Sequence, residues 1–268
     1  MRAEADGWGR RVLIGLSVVT AAFTLVVPLV LIFVSAFADG LAAYVRNITA
    51  PDTLHAIFLT VLTAVIVVPV NMVFGIATAW VVARYEFRGR KLMISLIEIP
   101  FSVSPIVAGT IYLFLYGQQG LLGPTLQSLG VQVMFSVPAI VLVSLFVTAP
   151  FVARELIPLM EAQGSEDEEA ALSLGASPWQ TFRLVTLPNI RWALLYGALL
   201  TNARAMGEFG AVSVVSGAIR GQTNTLPLHI ELLYNDFNIA GAFAAASMLA
   251  LIAVATLGIK YVMEARTG

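Results

Sequence analysis

Six long apolar runs constrain this chain more than any other feature. They cover residues 12–37, 57–83, 92–116, 133–153, 192–217 and 240–262. Each meets the ~20 residues that a helix needs to cross a hydrocarbon core. Open β structure is excluded there, because backbone polar groups in lipid must be satisfied within the segment. Composition agrees. The chain is 59% hydrophobic and only 12% charged, whereas soluble domains carry about 25% charged residues. Its mean hydropathy is +0.88. The expectation is an all-α polytopic membrane protein, with one domain over residues 1–268 and six transmembrane helices.

The first run needs separate treatment. Arg10-Arg11, an apolar stretch and then Ala36-Phe37-Ala38 imitate a signal peptide with its cleavage site. The stretch is too long for that, since a signal core runs about 7–15 residues. A retained helix is expected.

Orientation follows from the cations. Of the fifteen Lys and Arg, twelve fall on one side if both termini are cytoplasmic. They are Arg2, Arg10, Arg11, Arg84, Arg88, Arg90, Lys91, Arg154, Arg183, Arg191, Lys260 and Arg266. The opposite side receives Arg46 and Arg220, and Arg204 lies within a helix. The outer loops, near 38–56, 117–132 and 218–239, are short to moderate, with no extramembrane domain.

Several chemistries drop out early. The chain has no cysteine, which excludes disulfides, thiolate metal sites and cysteine nucleophiles. His55 and His229 are too few for a histidine metal cluster, and ordinary polar roles near helix ends suit them. No H-E-x-x-H or G-x-S-x-G pattern occurs. No catalytic residue and no metal ligand is expected. The net charge of −1 offers nothing to nucleic acid.

One polar segment interrupts the apolar pattern on the expected cytoplasmic side, EDEEAALSLGASPWQTFRLVTLPNI from Glu166 to Ile190. Ser165 can cap a helix whose first turn carries Glu166, Asp167, Glu168 and Glu169, acids that suit the positive end of the helix dipole. Ala170, Ala171, Leu172 and Leu174 continue it, and Gly175 fits the C′ position. Ser177-Pro178 then signals a second start, an N-cap followed by an N1 proline. Trp179, Phe182 and Val185 give that helix an apolar stripe. Pro188 is expected to end it, and Arg191 to mark the return to the bilayer. A rigid protrusion of this kind suits docking. Without a partner it would be a surface hairpin touching only its own helices.

Glu169-Ala170-Ala171, three residues, Gly175, nine residues and Val185-Thr186-Leu187-Pro188 resemble the EAA loop of ABC importer permeases. That pattern ends in I-x-LP, and Val185 in place of isoleucine is the one departure. The resemblance implies a type I importer permease fold, with loop 161–190 docking on a separate ATP-hydrolysing subunit. Glu169, Ala170, Ala171, Leu174, Gly175, Ala176, Ser177, Pro178, Leu187 and Pro188 would then be the coupling residues. The chain has no G-x-x-x-x-G-K-[ST] phosphate loop. ATP and Mg would belong to a dimer of the partner ATPase, with no cofactor held here.

Two intramembrane stretches bear on substrate. In Asn202-Ala203-Arg204-Ala205-Met206-Gly207-Glu208-Phe209-Gly210, Arg204 stands deep in the fifth run. Charges there usually face a bundle interior or a polar path. Arg204 and Glu208 share an i, i+4 spacing. Two readings stay open, a structural ion pair or a positive group for a passing anion, and both hold if the pair opens in transport. In Glu98-Ile99-Pro100-Phe101-Ser102-Val103-Ser104-Pro105 the prolines interrupt the third run. The candidate pathway groups are Asn71, Ser102, Ser104, Asn202, Arg204, Gly207 and Glu208. A packed helix kink is the plainer reading of the proline stretch.

The Arg204–Gly210 core, with residues 213–220 and Asn224-Thr225-Leu226-Pro227-Leu228 after it, resembles the sulfate/thiosulfate permeases, closest to their second, W-type, subunit. The resemblance covers about 55–266. It implies a homologous T-type permease partner, an extracytoplasmic sulfate-binding protein and a bacterial plasma membrane with its lipid. Molybdate/tungstate permeases share part of the core and are the alternative within transport. A membrane scaffold is the alternative of another class.

Overall fold

The computed structural model describes residues 7–264. The chain termini, with Arg2 and Arg266, lie outside the described residues. Among those described, every regular element is a helix.

The N-terminal span is two helices, α1 (Gly7–Ala21) and α2 (Val27–Ala36), joined by a π turn at Ala22–Val26. A short outer helix, α3 (Leu41–Ile48), leads into α4 (Pro51–Arg84), the longest element at 34 residues. The third run is broken into α5 (Arg90–Ser102) and α6 (Pro105–Tyr116), bent by 106°. An outer turn, α7 (Gly123–Ser128), follows. Next come α8 (Val137–Thr148) and α9 (Pro150–Gln163), which together form one span. The polar loop contains α10 (Glu166–Ser173) and α11 (Pro178–Thr181). A second π turn, Phe182–Thr186, runs directly into α12 (Leu187–Met206). After a break come α13 (Gly210–Ser216), the outer α14 (Leu226–Asn235) and α15 (Ile239–Glu264).

Among the described residues, four helices can cross a membrane by length and apolarity: Trp8–Ala36, Pro51–Arg84, Val137–Gln163 and Ile239–Thr256; the bent pair α5–α6 makes a fifth if counted as one span. A count of six therefore also needs the fifth run, which is not one continuous helix over 192–217. Its helix starts earlier, ends at Met206 and resumes at Gly210. Asn189, Arg191, Asn202 and Arg204 dilute its apolar character.

Pro188 does not end the second loop helix as expected. In an α-helix it would lose the bond to the carbonyl four residues back, and its ring would clash there. The π turn resolves this by widening, and the Leu187 N–H reaches the Phe182 carbonyl, five residues back. Residues 178–206 therefore form one continuous rod. The same device precedes Pro28, where the Val27 N–H donates to the Ala22 carbonyl.

The bundle closes around α4, α9 and α12. On α4 the buried positions Ala56, Leu59, Thr63, Val67, Asn71, Gly75, Thr78 and Val82 recur every three or four residues, as one helix face must. Small residues set the approach. A Cβ added at Gly75 would stand 2.5 Å from Val152 Cβ, and one at Gly197 would stand 3.0 Å from Val152 Cα. Val152 of α9 is thus held between glycines of α4 and α12, the close packing typical of membrane helices. Toward the polar loop, Ala79, Leu156, Met160, Ile190 and Leu194 complete that core. A second core joins α8 and α13 through Ile140, Val143, Val147, Ala211, Val212 and Val215. The N-terminal span is peripheral and meets the bundle where Ala36 and Tyr44 pack on Ala244 of α15.

Candidate functional site

The polar loop 161–190 is tightly specified. At the end of α10 the Ala176 N–H bonds the Ala171 carbonyl and the Gly175 N–H bonds that of Leu172. This double closure requires a left-handed residue, and Gly175 supplies it at φ 89°. Ser177 and Gln180 form a capping box at the start of α11, each side chain bonded to the other's backbone N–H. Ser165 departs from its expected role. Its hydroxyl donates to the Glu169 carboxylate and does not cap the helix backbone. A carboxylate one turn away is the stronger acceptor, since charge-assisted bonds exceed neutral ones.

Burial divides the predicted coupling residues. Glu169, Ala170, Ser177, Pro178 and Pro188 are exposed, Ala171 and Ala176 are half-buried, and Leu187 packs against the inner core. Leu174 is 89% exposed and Trp179, stacked on Phe182, is 68% exposed. Leu172 and Leu184 of the same loop are exposed as well. Of the apolar stripe Trp179, Phe182 and Val185, Phe182 packs against Trp80 while Trp179 stays exposed.

Sequence reasoning missed the residues that hold this loop to the bundle. Glu168 is buried, and its Oε2 accepts from Arg84 Nε at 2.8 Å. Its Oε1 accepts from Arg84 Nη2 at 3.1 Å and from Thr186 Oγ1 at 2.7 Å. Arg84 Nη1 donates to the Met160 carbonyl at 2.7 Å. Nearby, Arg90 bonds the Val82 carbonyl and pairs with Glu161. In sequence, Glu168 is one acid among four, and nothing in their spacing distinguishes it.

The breaks in the third and fifth apolar runs adjoin. Pro105 Cβ lies 3.2 Å from where a Cβ on Gly210 would stand, and Gly109 faces the Ala211 carbonyl. This brings the Ser102–Ser104 break beside the Gly207–Phe209 break. Ser102, Ser104 and Gly207 are exposed, and Asn202 is half-buried. Arg204 Nη1 meets Glu208 Oε2 at 2.6 Å, with 33% of the arginine side chain exposed and 1% of the glutamate. The pair does not lie along one helix face as the spacing implied, because α12 has ended before Glu208. The other oxygen, Oε1, accepts the Ala211 N–H at 2.8 Å and so caps α13. Asn71 sits elsewhere, buried between α4 and α8 and bonded to Thr148 Oγ1 at 2.6 Å. Broken helices that leave backbone groups and a charge at one level form the usual architecture of a transporter's solute path.

The profile of the binding-protein-dependent transport system inner membrane components matches residues 72–268. The chain belongs to that family. As such a permease subunit it is a multi-pass protein of the inner membrane. It is 58% identical over 264 residues to the sulfate transport system permease protein CysW of Escherichia coli (strain K12), covering 98% of this chain and 91% of the relative. The sulfate transport system permease protein CysT of the same strain is 34% identical, with 92% of each chain covered. The crystal structure of a bacterial ABC transporter involved in alginate import shares the fold at a TM-score of 0.80, with 16% identity and 97% and 96% of the two chains covered.

Proposed function

We propose that this permease carries sulfate or thiosulfate inward as one membrane subunit of an ATP-driven importer. The observation that carries this reading is full-length similarity at 58% identity to a sulfate permease, held together with an exposed, rigidly capped loop of the EAA pattern. The same similarity favours sulfate over molybdate or tungstate. The fold is then of the type I importer class, with six crossings, both ends in the cytoplasm and loop 161–190 on that face. A homologous T-type permease completes the path, in keeping with the CysT-like similarity. Two ATPase copies dock on the loops, holding ATP and Mg, and an extracytoplasmic binding protein delivers the anion.

Mechanism follows from the parts. Leu174, Trp179 and Glu169 give the ATPase an apolar tip with an acidic edge. Movement of the loop enters the membrane along the rod 178–206, whose far end carries Arg204. Alternating access needs two states with different solute contacts. The third of Arg204 that remains exposed is the group an oxyanion would meet, and release from Glu208 would raise the local positive potential. Hydroxyls of Ser102 and Ser104 at the adjoining break are donors suited to a desolvating oxyanion.

The test is ATP hydrolysis by the assembled complex in proteoliposomes. Sulfate together with the binding protein should stimulate hydrolysis, and molybdate should not. Stimulation by molybdate alone would reassign the solute.

A further inference from the structure

The four acids of the cytoplasmic loop are not equivalent. Glu166, Asp167 and Glu169 are exposed, whereas Glu168 is buried with both carboxylate oxygens engaged. Its side chain and that of Arg84 are 11% and 10% exposed. Four segments converge on this one pair: the end of α4 through Arg84, α9 through the Met160 carbonyl, α10 through Glu168, and the π turn through Thr186. A buried ion pair contributes little stability over an apolar group of the same volume. What it adds is direction, since a bidentate guanidinium–carboxylate contact fixes angle as well as distance. Thr186 lies within the rod 178–206, at the end of its π turn, and Arg204 follows eighteen residues later, ~27 Å along a helix.

We propose that Arg84 and Glu168 are positioning residues of the transport cycle. Their clamp makes α10 move as one body with α4 and with the rod. Displacement of the loop then reaches the break at Gly207–Phe209 and is not absorbed by bending at the loop. This rests on the reading of loop 161–190 as the ATPase docking element. Glu169, on the exposed side, meets the partner; Glu168, on the buried side, passes the motion on.

This chain has no cysteine, so an introduced thiol is the one it carries, and labelling is read on this subunit after the subunits are separated. The experiment places Ala203→Cys, exposed and one turn before the break, in the complete transporter complex. The rate of labelling by a small thiol reagent is measured with and without a non-hydrolysable ATP analogue. With the clamp intact, the analogue should change the rate. In Glu168→Gln or Arg84→Gln that change should shrink about tenfold, the scale of coupling carried by one contact network, while the ATPase still co-purifies. The swap Arg84→Glu with Glu168→Arg should restore part of it. An unchanged response in either single variant overturns the proposal, as does a clamp-intact complex with no response at all. Should the single variants fail to fold, Thr186→Val deletes one bond of the clamp. A reduced response with an unaltered melting temperature supports the proposal, and a full response overturns it. Sulfate-stimulated hydrolysis is followed on the same preparations. Its absence beside an intact thiol response counts against the sulfate reading and leaves the clamp standing.

Discussion

Glu169 and Arg204 carry the two residue-level claims, and each has a variant that separates them from their neighbours. Glu169→Lys reverses a charge at an exposed site whose carboxylate accepts from Ser165 of the same loop, so the bundle should stay intact. We expect the ATPase to dissociate during purification and uptake to fall about tenfold or more, because a like-charge contact at an interface costs several kcal/mol. Normal assembly with normal uptake would remove Glu169 from the docking surface. Arg204→Ala leaves Glu208 buried with only the Ala211 N–H as partner. Loss of one member of a buried pair costs about 3–5 kcal/mol, and less here because a third of Arg204 is exposed. Uptake should be lost and the melting temperature lowered by several degrees. Arg204→Ala protein that is folded and still transports would make neither role of the pair essential. The pairing itself was legible from i, i+4 spacing. The end of the helix between the partners was not, since it depends on Gly207 and on capping by Glu208.

At the scale of elements, the contacts of single glycines decide how the helices meet. Val152 lies between Gly75 and Gly197, and the room at Gly75 is already less than a methyl group needs. Gly75→Leu should separate α4 from α9 and lower stability by about 1–3 kcal/mol, the usual cost of overpacking. A thermal scan in detergent that matches the unaltered chain would contradict this packing. Outside the spanning helices, α14 is tied to the start of α4 by His229, whose Nε2 lies 3.0 Å from Thr53 Oγ1 and whose Nδ1 lies 3.4 Å from Asn224 Nδ2. Burial pushes its pKa down, Asp52 opposes that shift and Arg220 adds to it. The folded state therefore favours the neutral ring. Its stabilisation is complete above about pH 6.5, the value of an unburied histidine, and is lost as pH falls through that value toward the lower folded one. The melting temperature should drop further on acidification than it does in His229→Gln. Equal drops would exclude His229 as the cause. The sequence placed this histidine near a helix end but held no sign of Thr53, a partner 176 residues away in the chain.

Across the whole molecule, the apolar runs made the all-helical membrane class legible, and the loop pattern from Glu169 to Pro188 made the two short loop helices legible. Continuity of the helices was harder to read. Pro188 signals a helix stop, and only the π turn at Phe182–Thr186 turns the loop helix and α12 into one rod. The Arg84–Glu168 contact spans 84 residues and left no local trace. The account as a whole, an anion importer driven through that rod, is tested most directly by uptake of labelled sulfate. The assay uses cells lacking their own sulfate permease, supplied with this chain and its companion subunits, with and without excess molybdate. Uptake that requires this chain and resists molybdate is the result predicted here. A verified assembly with the ATPase that moves no sulfate would contradict it.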